Sequence, residues 1–189
     1  FLQLGSGDRI GHATALGIDP RIWMDTMPSD IRLPKGEWML DLLSVWRLLR
    51  HGEHGAMAER AASEACALAI DIFQETMTIE FLDAVMELRR LCPKLVTEAL
   101  DDPLWTWEKR ALACDEWLEE ARLVAQKREM AGGLLRYLKR WWCEAEIRKR
   151  AREHMPIREG YLPFPTLVAF QQAMLQVLHE KGIVIETLP

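Results

Sequence analysis

The stretch that decides the fold is GDRIGHATALGIDP, at residues 7–20. Residues 8–13 predict a short buried strand, with His12 at its carboxyl end, directly behind Gly11. Because glycine has no side chain, Gly11 allows another group to approach the backbone closely. The Asp19–Pro20 pair then predicts a helix start, with the aspartate as N-cap and the proline at the first helical position. The stretch therefore predicts a strand that presents one histidine to a site.

The other end of the sequence carries a second strand signal. Residues 183–188, IVIETL, are typical of the start of a strand buried in a parallel sheet. The preceding residues 166–181 predict a helix, with Thr166 as its N-cap and Gly182 as the glycine that ends it. Together with the strand at 8–13, this order indicates the strand–helix–strand unit of α/β folds.

Helical patterns fill most of the sequence between these strands. The strongest is EWMLDLLSVWRLLRH, at 37–51, which collects apolar residues on one face: Trp38, Leu42, Val45, Trp46 and Leu49. The proline-bearing stretch PSDIRLPKG before it predicts a loop. Thr78 is the predicted N-cap of its helix. Further helices are predicted at 56–76, 78–91, 104–130 and 134–154.

In a (β/α)8 barrel of about 250 residues, one strand–helix unit takes about 30 residues, far fewer than separate the two strands here. The predicted fold class is therefore α/β: a fragment of a (β/α)8 barrel with a large, predominantly α-helical insertion. We expect residues 1–23 to hold a barrel strand and its loop, 24–156 to form the insertion, and 157–189 to hold a barrel helix and strand. Both ends are apolar, which is typical of a segment taken from a longer protein.

The composition argues against several classes of protein. The chain has 189 residues and a net charge of -5, unlike a generic nucleic-acid-binding surface. Its four cysteines are widely spaced without a C-x-x-C pair, as expected for reduced thiols in a cytosolic protein. A membrane-spanning helix needs about 18 consecutive apolar residues, and no apolar run in the sequence approaches that length. The sequence therefore predicts a cytoplasmic protein with no membrane partner.

His12 is the one candidate catalytic residue. At the carboxyl end of a barrel strand, a histidine can act as a general base or hydrogen-bond a metal-bound water. The alternative is a structural histidine held by hydrogen bonds. His51 and His54 lie close together in RHGEHG but lack the further ligands of a zinc site. His154 and His179 each close a predicted helix, where a cation stabilises the C-terminal dipole.

The segment DRIGHATALG resembles the sixth-strand motif of the adenosine deaminase family of metal-dependent hydrolases, in which Arg-Ile-Gly-His-Gly presents a catalytic histidine. IVIETLP, at 183–189, resembles the family's seventh-strand motif, with Glu186 and Pro189 at matching positions. The resemblance implies a zinc-dependent hydrolase that deaminates adenine-containing substrates, with His12 orienting and activating the attacking water. It also implies that the zinc ligands, on the first, fifth and eighth strands, lie outside this chain, so no metal ligand is expected here.

Two departures from the family pattern point to a divergent branch, since Ala13 replaces the second glycine and Leu188 replaces the usual cysteine. The long insertion and the segment GHATALGIDPRIW are most similar to the deaminase subunit of the bacterial RADAR anti-phage system. That similarity implies adenosine or an adenine nucleotide as substrate, with an RNA base as the alternative. It also implies a homo-oligomeric assembly with an ATPase partner.

Two other functions stay open from the sequence alone. All eight tryptophans lie within 23–142, so the helical block is alternatively an oligomerisation or interaction module of a non-catalytic barrel protein. RYLKRWWCEAEIRKRAR, at 136–152, mixes basic and aromatic residues as RNA-binding surfaces do. Its interleaved glutamates favour instead a solvated helix face with a tryptophan-anchored buried side. The cytidine-deaminase class requires a P-C-x-x-C motif, which this sequence lacks.

Overall fold

The computed structural model describes residues 9–11, 19, 21–22, 32–91, 118–130, 133–156 and 164–186. Within these residues the protein is mostly helical, and its strands form two small sheets. In chain order, the elements are β1 (Arg9–Gly11), β2 (Arg32–Pro34), α1 (Lys35–Leu49), α2 (Gly55–Phe73), α3 (Ile79–Leu91), α4 (118–127), α5 (Leu134–Cys143), α6 (Ala145–Arg152), β3 (His154–Pro156), α7 (Phe164–Glu180) and β4 (Val184–Glu186).

Two pairs of strands make up the sheets. β1 and β4 are parallel, and Ile10 lies alongside Ile185, which confirms that the two strands predicted at opposite ends of the sequence are parallel neighbours. β2 and β3 form an antiparallel pair. The backbone N–H of Lys35 extends this pairing by donating to the Glu153 carbonyl at 3.0 Å. Among the residues described, these pairs do not close into a barrel.

The predicted apolar face of α1 is buried along the helix, as the spacing of its residues required. Each of its five members is at most 8% exposed: Trp38, Leu42, Val45, Trp46 and Leu49. Removing such side chains from water stabilises the fold by about 1.5–3 kcal/mol each. The indole N–H of Trp38 also donates to the Glu64 carboxylate at 3.0 Å, which satisfies the polar end of a buried ring.

Two of the predicted helix-start residues, Thr78 and Asp19, occupy their expected places. The backbone N–H of Phe81 donates to the Thr78 hydroxyl at 3.2 Å, so Thr78 caps α3. At the start of the sequence, the N–H of Arg21 donates to the Asp19 carboxylate at 2.9 Å, which is the bond expected of an N-cap aspartate. Both caps satisfy backbone donors that have no partner within the first helical turn.

Two predicted helix boundaries are wrong. The helix expected over 134–154 is interrupted at Glu144, whose extended backbone (φ -83°, ψ 113°) separates α5 from α6. Its last predicted residue, His154, begins β3 instead. Glu144 still accepts a hydrogen bond from the Arg148 N–H, so α6 begins on its carbonyl. Thr166 lies buried inside the first turn of α7 and does not start that helix. Pro165 fits this turn because the N–H it lacks would have no helical partner there.

The chain divides into two compact units. Of the described residues, the first unit takes those within Phe1–Leu33, Asp41–Ala62 and Met155–Pro189, and it contains β1, α7 and β4. The second unit takes those within Pro34–Leu40 and Ser63–His154, and it contains α3, α4, α5 and α6. No helix in the described part of the chain is both long and apolar enough to span a membrane.

Candidate functional site

The candidate functional site is the edge at which β1 and β4 end. Gly11 is paired with Glu186, and these are the last residues of the two strands. Because the strands are parallel, their carboxyl ends meet on one side. In α/β proteins, ligands bind outside the carboxyl ends of parallel strands. We refer to Gly11 and Glu186 together as the strand edge.

The end of α7 directs the chain into β4. Gly182 has a left-handed backbone (φ 64°), which glycine adopts without steric cost. Its N–H donates to the His179 carbonyl at 2.9 Å, and the N–H of Ile183 donates to the Leu178 carbonyl at 3.0 Å. This pair of bonds is the Schellman motif, and it confirms the predicted C-terminal glycine. Ile183 is 7% exposed and anchors the turn just before β4.

The predicted catalytic residue, His12, follows Gly11 directly in the sequence and lies outside the described residues. Ala13, Leu188 and Pro189 lie outside them as well. Glu186 falls at the strand edge, beside Gly11. The structure therefore describes the strand pair on which the predicted site depends, and the role of His12 stays a prediction.

The other histidines lie outside β1 and β4. His51 and His54 occupy the turn between α1 and α2, and the His54 carbonyl accepts from the backbone of Met57 and Ala58 at the start of α2. His179 lies in the last turn of α7, as predicted. His154 begins β3 and does not close a helix, because α6 already ends at Arg152.

The described residues contain no group of three or more histidine, cysteine, aspartate or glutamate side chains arranged to hold a metal ion. A zinc ion in a catalytic site needs three protein ligands with nitrogen, sulfur or carboxylate donors. The described residues therefore do not supply the ligands of the zinc ion that the family resemblance implies.

A charged and aromatic cluster in the second unit was not predicted from the sequence. Glu75 accepts hydrogen bonds from three side chains of α5: Arg140 at 2.6 Å, Arg136 at 3.0 Å, and the Tyr137 hydroxyl. We call these four residues the Glu75 cluster. The side chains of Glu75 and Arg140 are 33% and 17% exposed, so water screens the charges only in part.

The end of α2 places Glu75 against α5. Gln74 has a left-handed backbone (φ 59°), and its N–H donates to the Ile70 carbonyl at 2.8 Å. The Gln74 side-chain amide donates to the Asp71 carbonyl at 2.7 Å, which satisfies another acceptor at this helix end. Arg140 also donates to the Phe73 carbonyl at 3.1 Å, so one guanidinium binds both the helix end and Glu75.

The hydrogen bonds of the Glu75 cluster shift the pKa values of its members. The Tyr137 hydroxyl, followed by the charges of Arg140 and Arg136, lowers the pKa of the Glu75 carboxyl below its ordinary value of 4.5. The same bond to Glu75 raises the pKa of Tyr137 above 10.0. Both shifts favour an ionised glutamate and a protonated tyrosine. These groups therefore form a stable ion-pair and hydrogen-bond cluster at neutral pH.

Glu75→Gln is expected to lower the free energy of unfolding at neutral pH. It should also make that free energy depend less on pH in the acid range. Because the folded pKa of Glu75 is depressed, its contribution is fully present above about pH 4.5 and is lost as the pH falls through the folded value. Urea unfolding between pH 3 and 7 measures this dependence. Glu59→Gln, a change at an exposed position of α2, the helix that ends just before Glu75, is the control and should track the parent protein. Equal curves for the Glu75 and Glu59 variants would contradict the prediction.

Several arginines of the basic segment at 136–152 bind other groups of the protein. Arg136 and Arg140 bind Glu75, and Arg150 donates to the Ile72 carbonyl at 2.7 Å. Trp141 packs against Phe73 with ring centroids 5.4 Å apart. These contacts favour the interpretation of a helix face anchored by a half-buried tryptophan over that of a nucleic-acid surface. Local sequence patterns do not indicate that Glu75 is the partner of these arginines, because Glu75 lies far before the segment in the sequence.

Neither a model of a known protein family nor a curated protein sequence matches this chain.

Proposed function

We propose that this chain is the part of a zinc-dependent adenosine deaminase-like hydrolase that runs from the sixth to the seventh strand of a (β/α)8 barrel. The observation that carries the proposal is the parallel pairing of β1 and β4, with Ile10 alongside Ile185. The two segments that resemble neighbouring barrel strands of this family are thus neighbours in space. The predominantly helical residues between them are consistent with a large insertion.

His12 is the residue of this chain to which we assign a catalytic role. It follows Gly11, and Gly11 ends β1 at the strand edge. From this position an imidazole would orient the attacking water and hold its proton, which are the tasks of a general base. Glu186, on the neighbouring strand, is assigned a structural role at the same edge.

Zinc would supply the activation of water in the whole protein, through ligands that the family resemblance places outside this chain. The proposed substrate is adenosine or an adenine nucleotide, with an RNA base as the other possibility. By its similarity to the RADAR deaminase subunit, the protein would act in anti-phage defence in the cytoplasm. It would do so as a homo-oligomer with an ATPase partner.

The direct test is an assay of the whole protein that contains this chain. The zinc-loaded protein would be incubated with adenosine, AMP, ATP and an adenine-containing RNA, and the products that carry hypoxanthine in place of adenine (inosine, IMP, ITP or inosine in the RNA) would be quantified by mass spectrometry. We expect deamination of at least one substrate, its loss after chelation, and its recovery when zinc is restored. The absence of product from all four substrates would overturn the proposal.

A further inference from the structure

Glu75 holds an oxyanion against the outer side of α5. Terminal nitrogens of Arg136 and Arg140 lie 3.0 Å and 2.6 Å from one oxygen of its carboxylate, and the Tyr137 hydroxyl donates to the other oxygen. The oxygens of a nucleic-acid phosphate accept hydrogen bonds from the same guanidinium and hydroxyl donors. The Glu75 carboxylate therefore takes the place that a phosphate group would take on this helix.

The cations that surround this carboxylate lie side by side on α5. Arg136 and Arg140 are four residues apart, and Lys139 lies between them on the same side of the helix. Arg140 is fixed in place, because it also donates to the Phe73 carbonyl and to the Glu144 carboxylate, both at 3.1 Å. We refer to Arg136, Lys139 and Arg140 together as the basic face.

The basic face can be reached from solvent. The side chain of Arg136 is 67% exposed, and Lys139 is exposed as well. The side chain of Arg140 is 17% exposed, and that of Glu75, which bonds to it, is 33% exposed. A phosphate can therefore contact Arg136 directly, and it competes with the Glu75 carboxylate for Arg140.

The aromatic ring of the Glu75 cluster is enclosed by its neighbours. The guanidinium carbons of Arg136 and Arg140 lie 5.7 Å and 5.8 Å from the centre of the Tyr137 ring. The rings of Phe73 and Phe81 make edge contacts with it, with centroids 6.0 Å and 5.0 Å away. Because this ring is engaged on the protein, a nucleic acid at the basic face would be bound through its phosphates, independently of its base sequence.

We propose that Glu75 is an autoinhibitory contact that keeps the phosphates of single-stranded nucleic acid off the basic face. Its carboxylate binds two of the three cations and repels a further negative charge. Affinity for a phosphate backbone grows with the number of cations that neutralise it, and a row of cations along one helix matches the repeated charges of such a backbone. This inference concerns the helical block and does not depend on deaminase activity.

The test is the binding of a fluorescein-labelled oligouridylate to the whole protein, measured by fluorescence anisotropy at low and at high salt. Uridylate carries phosphates but no adenine, so its binding does not report on the proposed deaminase site. The variants are Glu75→Ala, Glu75→Gln, Glu59→Ala, and Glu75→Ala combined with Arg136→Met. Glutamine removes the charge of Glu75 but keeps an acceptor for Tyr137, so it is the variant to compare if alanine impairs folding. Glu59→Ala makes the same change in net charge at an exposed position of α2.

We expect Glu75→Ala and Glu75→Gln to bind oligouridylate at least about tenfold more tightly than the parent at low salt, and to lose this gain at high salt. Glu59→Ala should bind as the parent does, and Arg136→Met should abolish the gain. Equal affinities for the parent and the folded Glu75 variants, or a gain that persists without Arg136, would overturn the proposal. An equal gain in affinity for oligoglutamate would also overturn it, because the face would then bind any polyanion.

Discussion

Replacing His12 by alanine is expected to reduce deamination by the whole protein about 10²- to 10⁴-fold, the usual contribution of a positioned general acid or base. The expectation follows from the place of His12 directly after Gly11, where β1 ends beside Glu186 of β4. Alanine removes the only group on this chain that we assign to proton transfer. The measurement is the initial rate of product formation at saturating substrate, together with the zinc content of each preparation.

The matched control is His179→Ala. His179 is an exposed residue in the last turn of α7, the helix that leads into β4, so its replacement tests for general damage near the strand pair. It should leave the rate within twofold of the parent. If the His12 variant retains full turnover with normal zinc content, His12 has no catalytic role.

Phe73→Ala is expected to destabilise the second unit by about 3–5 kcal/mol, the usual cost of truncating a buried phenylalanine. Phe73 is 0% exposed at the end of α2. Its ring makes an edge contact with Tyr137 at 6.0 Å and a tilted contact with Trp141 at 5.4 Å, so alanine would remove both and leave a cavity. Urea unfolding followed by far-UV circular dichroism measures the loss.

Two further variants decide whether the cavity is the cause. Phe73→Leu fills most of the volume and should cost less than alanine does. Ile70→Ala changes a residue on the same helix that is 43% exposed, and should stay within about 0.5 kcal/mol of the parent. A similar loss for Phe73→Ala and Ile70→Ala would contradict the packing role given to Phe73.

Much of the fold could be predicted from local patterns. The apolar face of α1, the cap at Thr78 and the glycine at 182 follow from helical spacing and from the backbone needs of helix ends, which depend on residues close in sequence. The parallel pairing of the strands that contain Ile10 and Ile185 was expected from the family resemblance and from the apolar strand start, whereas their register was not. His12 lies outside the described residues, so its place at the end of β1 stays a prediction.

Other features depend on contacts between distant parts of the chain and left no local signal. Glu144 is an ordinary helix former, with neither glycine nor proline beside it to mark the break between α5 and α6. β2 and β3 are each three residues long, too short for an alternating pattern, and arise from pairing across the helical block. Gln74 adopts a left-handed backbone that glycine or asparagine usually occupies.

The β1–β4 pair has a consequence for the order of events during translation. β1 emerges from the ribosome before the helical block, and its partner strand is made only after the whole block. Helices form rapidly from local contacts, whereas closure of so long a loop waits for the second strand. Until then β1 is an open template, and capture of β4 from a neighbouring nascent chain would yield a strand-swapped dimer.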